Sequence, residues 1–382
     1  MLTSINPANG EKLASFDEAD AGTVDAALQR AADAQRGWRR TPPSERAKLL
    51  ARVAQVLRGH RDDWARLATL EMGKPIAEAR AEIEKSAVTC DFYAANAPAM
   101  LGDVPVASNA TDSRVVYDPL GLVLAVMPWN YAFWQVIRAA APAISAGNGV
   151  VLKHASNVPQ CAQALQKVFR EAGAPEGLFT TLLVGSSRVA ALIDDHRIAG
   201  VTFTGSTPAG RAIASQAGQS LKKQVLELGG SDPFIVLADA DVEAAAAVAV
   251  KARFQNNGQS CIAAKRFIVE EAVADRFSAA FCAGANKLVL GDPLDAATTL
   301  GPMARGNLRD DLDKQVRASI AEGARLAAGG TVPSGPGFYY PATVLDHVAP
   351  GMTAAREETF GPAAAGPRVG DADDALALGN GT

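Results

Sequence analysis

The chain has 382 residues, material for two or three structural units at about 100–200 residues each. Its 37 Lys+Arg against 41 Asp+Glu give a net charge of −4 without long like-charge blocks, which excludes a nucleic-acid or polyanion binder built on a basic stripe. With 48% apolar and 20% charged residues it is not a disordered chain, and four Cys without close pairing exclude a disulfide framework and point to a reducing compartment.

The opening MLTSINPANGEKLASFDEAD has no basic start followed by an apolar run, so no secretory signal is read. The longest apolar stretches, Gly121–Trp129 and Val242–Val250, are too short for a membrane span of about 20 residues. A soluble cytoplasmic protein is the expectation. Residues 22–71 read as two helices separated by Thr41-Pro42-Pro43, the second starting at Ser44 with apolar residues at helical spacing from Leu49 to Leu67. A third helix is predicted over Ile76–Ala97, then a hairpin from Val104–Val106 and Ser113–Tyr117, then a buried strand over Leu120–Met127.

From there strands and helices alternate. Strands are predicted at Val150–Lys153, Thr180–Val184, Gly200–Thr204 and Lys223–Leu228, with helices between them, which implies a parallel sheet covered by helices. After Gly229-Gly230 the pattern restarts with strand Pro233–Leu237, helix Val242–Phe254, a polar loop and strand Ile262–Val269. A second α/β unit is expected to begin near residue 229.

His60, His154, His196 and His347 form no ligand spacing with one another or with the Cys, so no metal site is expected. Gly258-Gln259-Ser260-Cys261 is followed by Ile262 where a nucleophile elbow needs Gly, which leaves serine hydrolysis weakly supported. Four segments remain. Cys261 ends the polar loop Phe254–Ser260, whereas Cys90, Cys161 and Cys282 sit within predicted helices as small apolar residues do. Glu227 stands near the end of an apolar strand before Gly229-Gly230, where desolvation would raise its pKa towards that of a base; a solvated strand-end Glu is an equal alternative. Asn130, after Pro128-Trp129, offers an amide for an oxyanion, or ordinary turn chemistry. Phe203-Thr204-Gly205-Ser206 leads a strand into a helix N-terminus, a place where phosphates bind.

Taken together and in this order, with Lys153-His154-Ala155-Ser156 and Glu357-Glu358-Thr359-Phe360-Gly361-Pro362, these segments resemble the aldehyde dehydrogenase superfamily, most nearly its succinate-semialdehyde dehydrogenases. The resemblance implies an α/β fold of two doubly wound domains: a dinucleotide-binding domain over 1–102 and 121–227, a bridging oligomerisation hairpin over 103–120, and a catalytic domain over 228–382. It also implies a homodimer or tetramer. Cys261 would be the nucleophile that forms a thiohemiacetal and then a thioester, Asn130 an oxyanion donor and Glu227 the base for hydrolysis. NADP or NAD would be held by Trp129, Lys153, Ser156, Gly205, Ser206, Glu358 and Phe360. Ser156 stands where NAD-preferring relatives often carry Glu; without that anion and with Lys153 nearby, NADP is expected to be accepted. Arg138, eight residues beyond Asn130, would grip the carboxylate of an aldehyde such as succinate semialdehyde, with a surface salt bridge as its alternative.

The chain ends 20 residues after Gly361-Pro362, and by the resemblance the C-terminal end of the family fold is expected to be absent. Two further readings stay open: a cofactor-binding protein of this family without turnover, and an acylating aldehyde dehydrogenase, against which the presence of Glu227 speaks.

Overall fold

Leu122–Met127 has no charged residue and is buried at all positions except Val123, the pattern of a strand flanked on both sides in a parallel sheet. In the computed structural model, which describes residues 1–382, it is the centre of a five-stranded sheet. The order is Phe179–Thr181, Gly149–His154, Leu122–Met127, Ile198–Thr204, Lys223–Glu227, and every pairing is parallel. The chain leaves the centre in one direction, then returns to build the other side. That reversal places a topological switch point between the C-terminal ends of Leu122–Met127 and Ile198–Thr204, where α/β sheets of this kind open a crevice.

This sheet belongs to a compact unit of Met1–Ile5, Lys12–Glu71 and Ala79–Leu228. One face is covered by a core that includes Leu28, Leu124, Val126, Val201, Phe203 and Ile213. Helix Trp134–Ser145 buries Val136, Ile137, Ala140, Ala141 and Ile144. Its N-terminus is satisfied from a distance: the buried carboxylate of Glu82 accepts the Phe133 and Trp134 N–H groups at 2.8 and 3.0 Å. Glu71 does the same for helix Pro159–Glu171, accepting from Gln160 and Cys161 at 3.1 and 2.9 Å. Where two helices are expected between residues 22 and 71, three form: Ala21–Trp38, Pro43–Gly59 and Arg61–Met72, the last break falling at His60. A hairpin of Leu2–Ile5 with Lys12–Phe16 precedes them. The segment 103–120 contains a short antiparallel pair, Val104–Pro105 with Arg114–Val115, whose Val104, Val115, Val116 and Tyr117 are exposed.

A second unit comprises Asn6–Glu11, Met72–Glu78 and Gly229–Thr382. Its sheet runs Asp232–Val236, Ala264–Glu270, Ala363–Gly366, Thr343–Asp346, Arg325–Ala328, with Arg368–Val369 beside Ala264–Glu270. The expectation of a second doubly wound sheet needs correction at one edge: Arg325–Ala328 pairs antiparallel with Thr343–Asp346, so this sheet is mixed. Stacked rings of Phe254, Phe267, Phe277 and Phe281 fill the space between it and two helices. No helix of the chain is long and apolar enough to cross a membrane.

Candidate active site

At the switch point of the first sheet lies a cleft of about 460 Å³, lined by Met127, Pro128, Lys153, Gly205 and Ser206 among others. Lys153 is the one charged residue in its wall. Its side chain is buried, and burial pulls the ammonium below its usual pKa while the Glu18 carboxylate opposes this. Ser206 is the N-cap position of helix Thr207–Gln219, extended in backbone and exposed, so the first N–H groups of that helix face outward from the turn. The cleft therefore offers apolar walls, a cation and a helix N-terminus, with no carboxylate. Three of the expected cofactor residues, Lys153, Gly205 and Ser206, are brought together here. Ser156 is exposed beyond the strand end, and Trp129 is half-buried on the loop after Met127.

Asn130 is buried on that same loop. The loop is tied down within the first unit. Glu82 holds the 133–134 end, as described, and His154 holds the middle: its Nε2 lies 2.8 Å from the Ala132 carbonyl while its Nδ1 accepts the Ala155 N–H at 2.9 Å. Burial pushes the imidazole down to about 4, so it is neutral; its Nδ1 also lies 3.3 Å from the Met127 carbonyl. His154 thus fixes a loop.

Of the two readings of Glu227, the solvated strand-end one fits its placement. Its side chain is half exposed, not desolvated, at the end of strand Lys223–Glu227. Its Oε2 lies 3.4 Å from Nη1 of Arg138, whose Nη2 is 3.4 Å from the Thr204 hydroxyl. Arg138 also lies over the Trp134 ring at 5.1 Å. Arg138 and Glu227 line one cavity of about 360 Å³ with Thr204, Val225 and Lys223.

In the second unit Cys261 follows a loop in which Asn256 and Asn257 both take left-handed backbone conformations, φ 55° and 56°. Such positions cost energy and persist only where neighbours fix them. Here the Glu78 carboxylate accepts the Asn256 N–H at 2.7 Å, and the Asn257 amide donates to the Gly73 and Pro302 carbonyls at 2.9 Å each. Gly258 continues the left-handed run at φ 69°, and a Cβ there would strike the Gly361 backbone. Cys261 is half-buried at the turn leading into strand Ala264–Glu270. Cys90 and Cys161 are buried in helices, the Cys90 thiol pushed up to about 12 by burial; Cys282 is partly buried and also raised by burial.

Glu358 and Phe360 lie in this unit too. Lys265, four residues past Cys261 and almost fully buried, donates to Glu358 at 2.7 Å, to the Cys261 carbonyl at 3.2 Å and to the Gly230 carbonyl. Glu358 also accepts the Gly230 N–H at 3.3 Å, and Gly229 has no room for a Cβ beside that carboxylate. Phe360 lies 5.9 Å from the Lys265 ammonium. One lysine thus joins three of the sequence segments that stand out. Burial lowers its pKa and Glu358 partly restores it. Nothing in the sequence marks Lys265, Glu78 or Glu82, because each acts through a partner remote in the chain.

The sequence model of the aldehyde dehydrogenase family matches residues 1–382. The chain belongs to this family. Among its relatives is a succinate semialdehyde dehydrogenase, NAD(P)+, of Escherichia coli K12, 52% identical over 377 residues that cover 99% of this chain and 82% of that one. A probable NADP+ succinate-semialdehyde dehydrogenase of Synechocystis is 48% identical over 379 residues, covering 99% and 84%. The crystal structure of a succinic semialdehyde dehydrogenase from Streptococcus pyogenes, in complex with NADP+, superposes with a TM-score of 0.96 at 34% identity over 99% of this chain and 83% of that one. The two α/β sheets described above are those of an aldehyde dehydrogenase.

Proposed function

We propose that this aldehyde dehydrogenase oxidises succinate semialdehyde to succinate, using NADP and also NAD. The observation that carries the substrate class is Arg138, a guanidinium in the wall of the same cavity as Glu227. A planar fork of N–H donors recognises a carboxylate through two parallel hydrogen bonds. The names of the E. coli and Synechocystis relatives agree with this reading.

The cleft at the first sheet's switch point suits a dinucleotide. Lys153 and Ser156 would receive the adenosine ribose and its 2′-phosphate, Gly205 and Ser206 the pyrophosphate at the helix N-terminus, Trp129 would border its path, and Glu358 and Phe360 would meet the nicotinamide ribose. When bound, the dinucleotide supplies the acceptor for a hydride.

The chain's own residues do the rest. The Cys261 sulfur, as thiolate, adds to the aldehyde carbon, and the carbonyl oxygen takes up negative charge. The Asn130 side-chain amide and the Cys261 backbone N–H donate to that oxygen; one such donor is worth about 3 kcal/mol when charge develops only in the transition state. Loss of hydride leaves a thioester on Cys261. Glu227 then takes a proton from water, whose oxygen attacks the acyl carbon, and the C–S bond breaks to release succinate and the thiolate.

The test is turnover of succinate semialdehyde with NADP, followed by absorbance of the reduced cofactor. Sustained turnover that Glu227→Gln converts to a burst equal to the enzyme concentration supports the scheme. Acyl transfer to coenzyme A in place of hydrolysis, or cofactor binding without any burst, would replace it with the other readings.

A further inference from the structure

The guanidinium proposed to anchor the substrate already has occupants. Both terminal nitrogens of Arg138 are engaged, Nη1 with the Glu227 carboxylate and Nη2 with the Thr204 hydroxyl, each at 3.4 Å. Two-pronged capture of a substrate carboxylate uses these same two nitrogens. The contacts are long and the partners 32% and 50% exposed, so the pair is weakly held and exchanges readily. While Glu227 Oε2 accepts from Arg138, that oxygen is occupied and turned to the guanidinium instead of to a water.

We propose that Arg138 is a positioning residue for Glu227: it holds the carboxylate in the resting enzyme, and the carboxylate of the bound substrate displaces it and frees it to act as base. The arrangement links hydrolysis to the presence of the correct acid group. An aldehyde without a carboxylate can acylate Cys261, yet leaves Glu227 tethered and its thioester long-lived. Selectivity then arises twice, once in binding through Arg138 and again in deacylation through the released base. This gate rests on the reading of Cys261 as nucleophile and Glu227 as base given above.

The test separates the gate from that reading and needs no cofactor. Hydrolysis of p-nitrophenyl acetate should give a burst of nitrophenolate as Cys261 is acetylated, then a steady rate set by deacetylation. Free acetate, added against chloride at matched ionic strength, supplies the missing carboxylate; an acetyl group on sulfur and an acetate at Arg138 together approximate a bound succinyl group. The steady rate of the wild type should rise by about two- to fivefold, the range expected for breaking a half-exposed ion pair, and should saturate. Arg138→Leu should start at the stimulated rate and ignore acetate, whereas Arg138→Lys, which keeps the charge, should retain a response. A wild-type rate that acetate leaves unchanged or slows, or a response that persists in Arg138→Leu, overturns the gate. A burst that survives Cys261→Ser instead overturns the assignment of the nucleophile, and the gate falls with it.

Discussion

The ammonium of Lys265 lies 2.7 Å from the Glu358 carboxylate, 93 residues away in the chain, with the lysine side chain only 1% exposed. Neither group is placed there by local sequence. A buried lysine is tolerable because it is paired and because the carbonyls of Gly230 and Cys261 take its remaining protons. Removing one member leaves the other charged and short of partners. Lys265→Met should therefore lower stability by about 3 kcal/mol, and adding Glu358→Gln should restore part of the loss. Urea unfolding of the two single variants and the double variant measures the coupling. Strictly additive losses would show that the pair holds nothing together.

Cys261 should be the first thiol to react. Cys90 and Cys161 are buried in helices, and burial raises the thiols of Cys90 and Cys282, which leaves little thiolate at neutral pH. Limited iodoacetamide treatment followed by peptide mass spectrometry should find Cys261 modified ahead of the other three, and Cys261→Ser should remove the fast phase. Earlier labelling of Cys282 would show that the loop shields the Cys261 thiol more than its exposure indicates.

The alternation of strands and helices was legible because buried parallel strands such as Leu122–Met127 are uniformly apolar, and that pattern survives without knowing the neighbours. Predicted Gly200–Thr204 and Lys223–Leu228 correspond to observed Ile198–Thr204 and Lys223–Glu227. The strand expected from Ile262 begins at Ala264, since the Cys261 turn occupies the intervening residues. The amino-terminal hairpin was invisible because Lys12–Phe16 has no buried residue and no regular alternation, with Leu13 and Ala14 both half-buried. In the site, the polar loop made Cys261 conspicuous, but burial of a charged group is a tertiary property. Glu227, which the sequence leaves open between a desolvated and a solvated strand end, is half exposed, while Lys265, which nothing in its local sequence marks, is buried.

Ser156 gives a test of cofactor choice. It is exposed just past Gly149–His154, close in sequence to Lys153 in the cleft wall. If the 2′-phosphate of NADP lies there, a carboxylate at this position repels it; two unit charges at 4 Å interact by about 1 kcal/mol even in water, and a phosphate carries nearly two. Ser156→Glu should raise KM for NADP by about tenfold or more and leave KM for NAD nearly unchanged. Steady-state kinetics with each cofactor decide it, and a parallel rise for both would move the phosphate elsewhere.

Asp346 should govern acid sensitivity of the second unit. Its side chain is 6% exposed and accepts from Arg368 at 2.9 Å and from Arg325 at 2.5 Å. Burial alone would raise its pKa, but the bonds from Arg368 and Arg325 and from the His347 N–H overcome that and hold the carboxyl well below the usual range. A group depressed on folding stabilises the fold above its unfolded pKa, about 3.9 for Asp, and loses that contribution as pH falls through the folded value. Asp346→Asn should therefore cost about 2 kcal/mol at neutral pH, a figure reduced because Arg325 is more than half exposed and its share is screened by solvent. The gap between wild type and variant should stay constant down to about pH 5 and narrow below about pH 4. Urea midpoints measured across this range provide the check. A gap that narrows instead as pH rises would mean that Asp346 is protonated in the native state, since only the neutral form would then resemble the asparagine that replaces it.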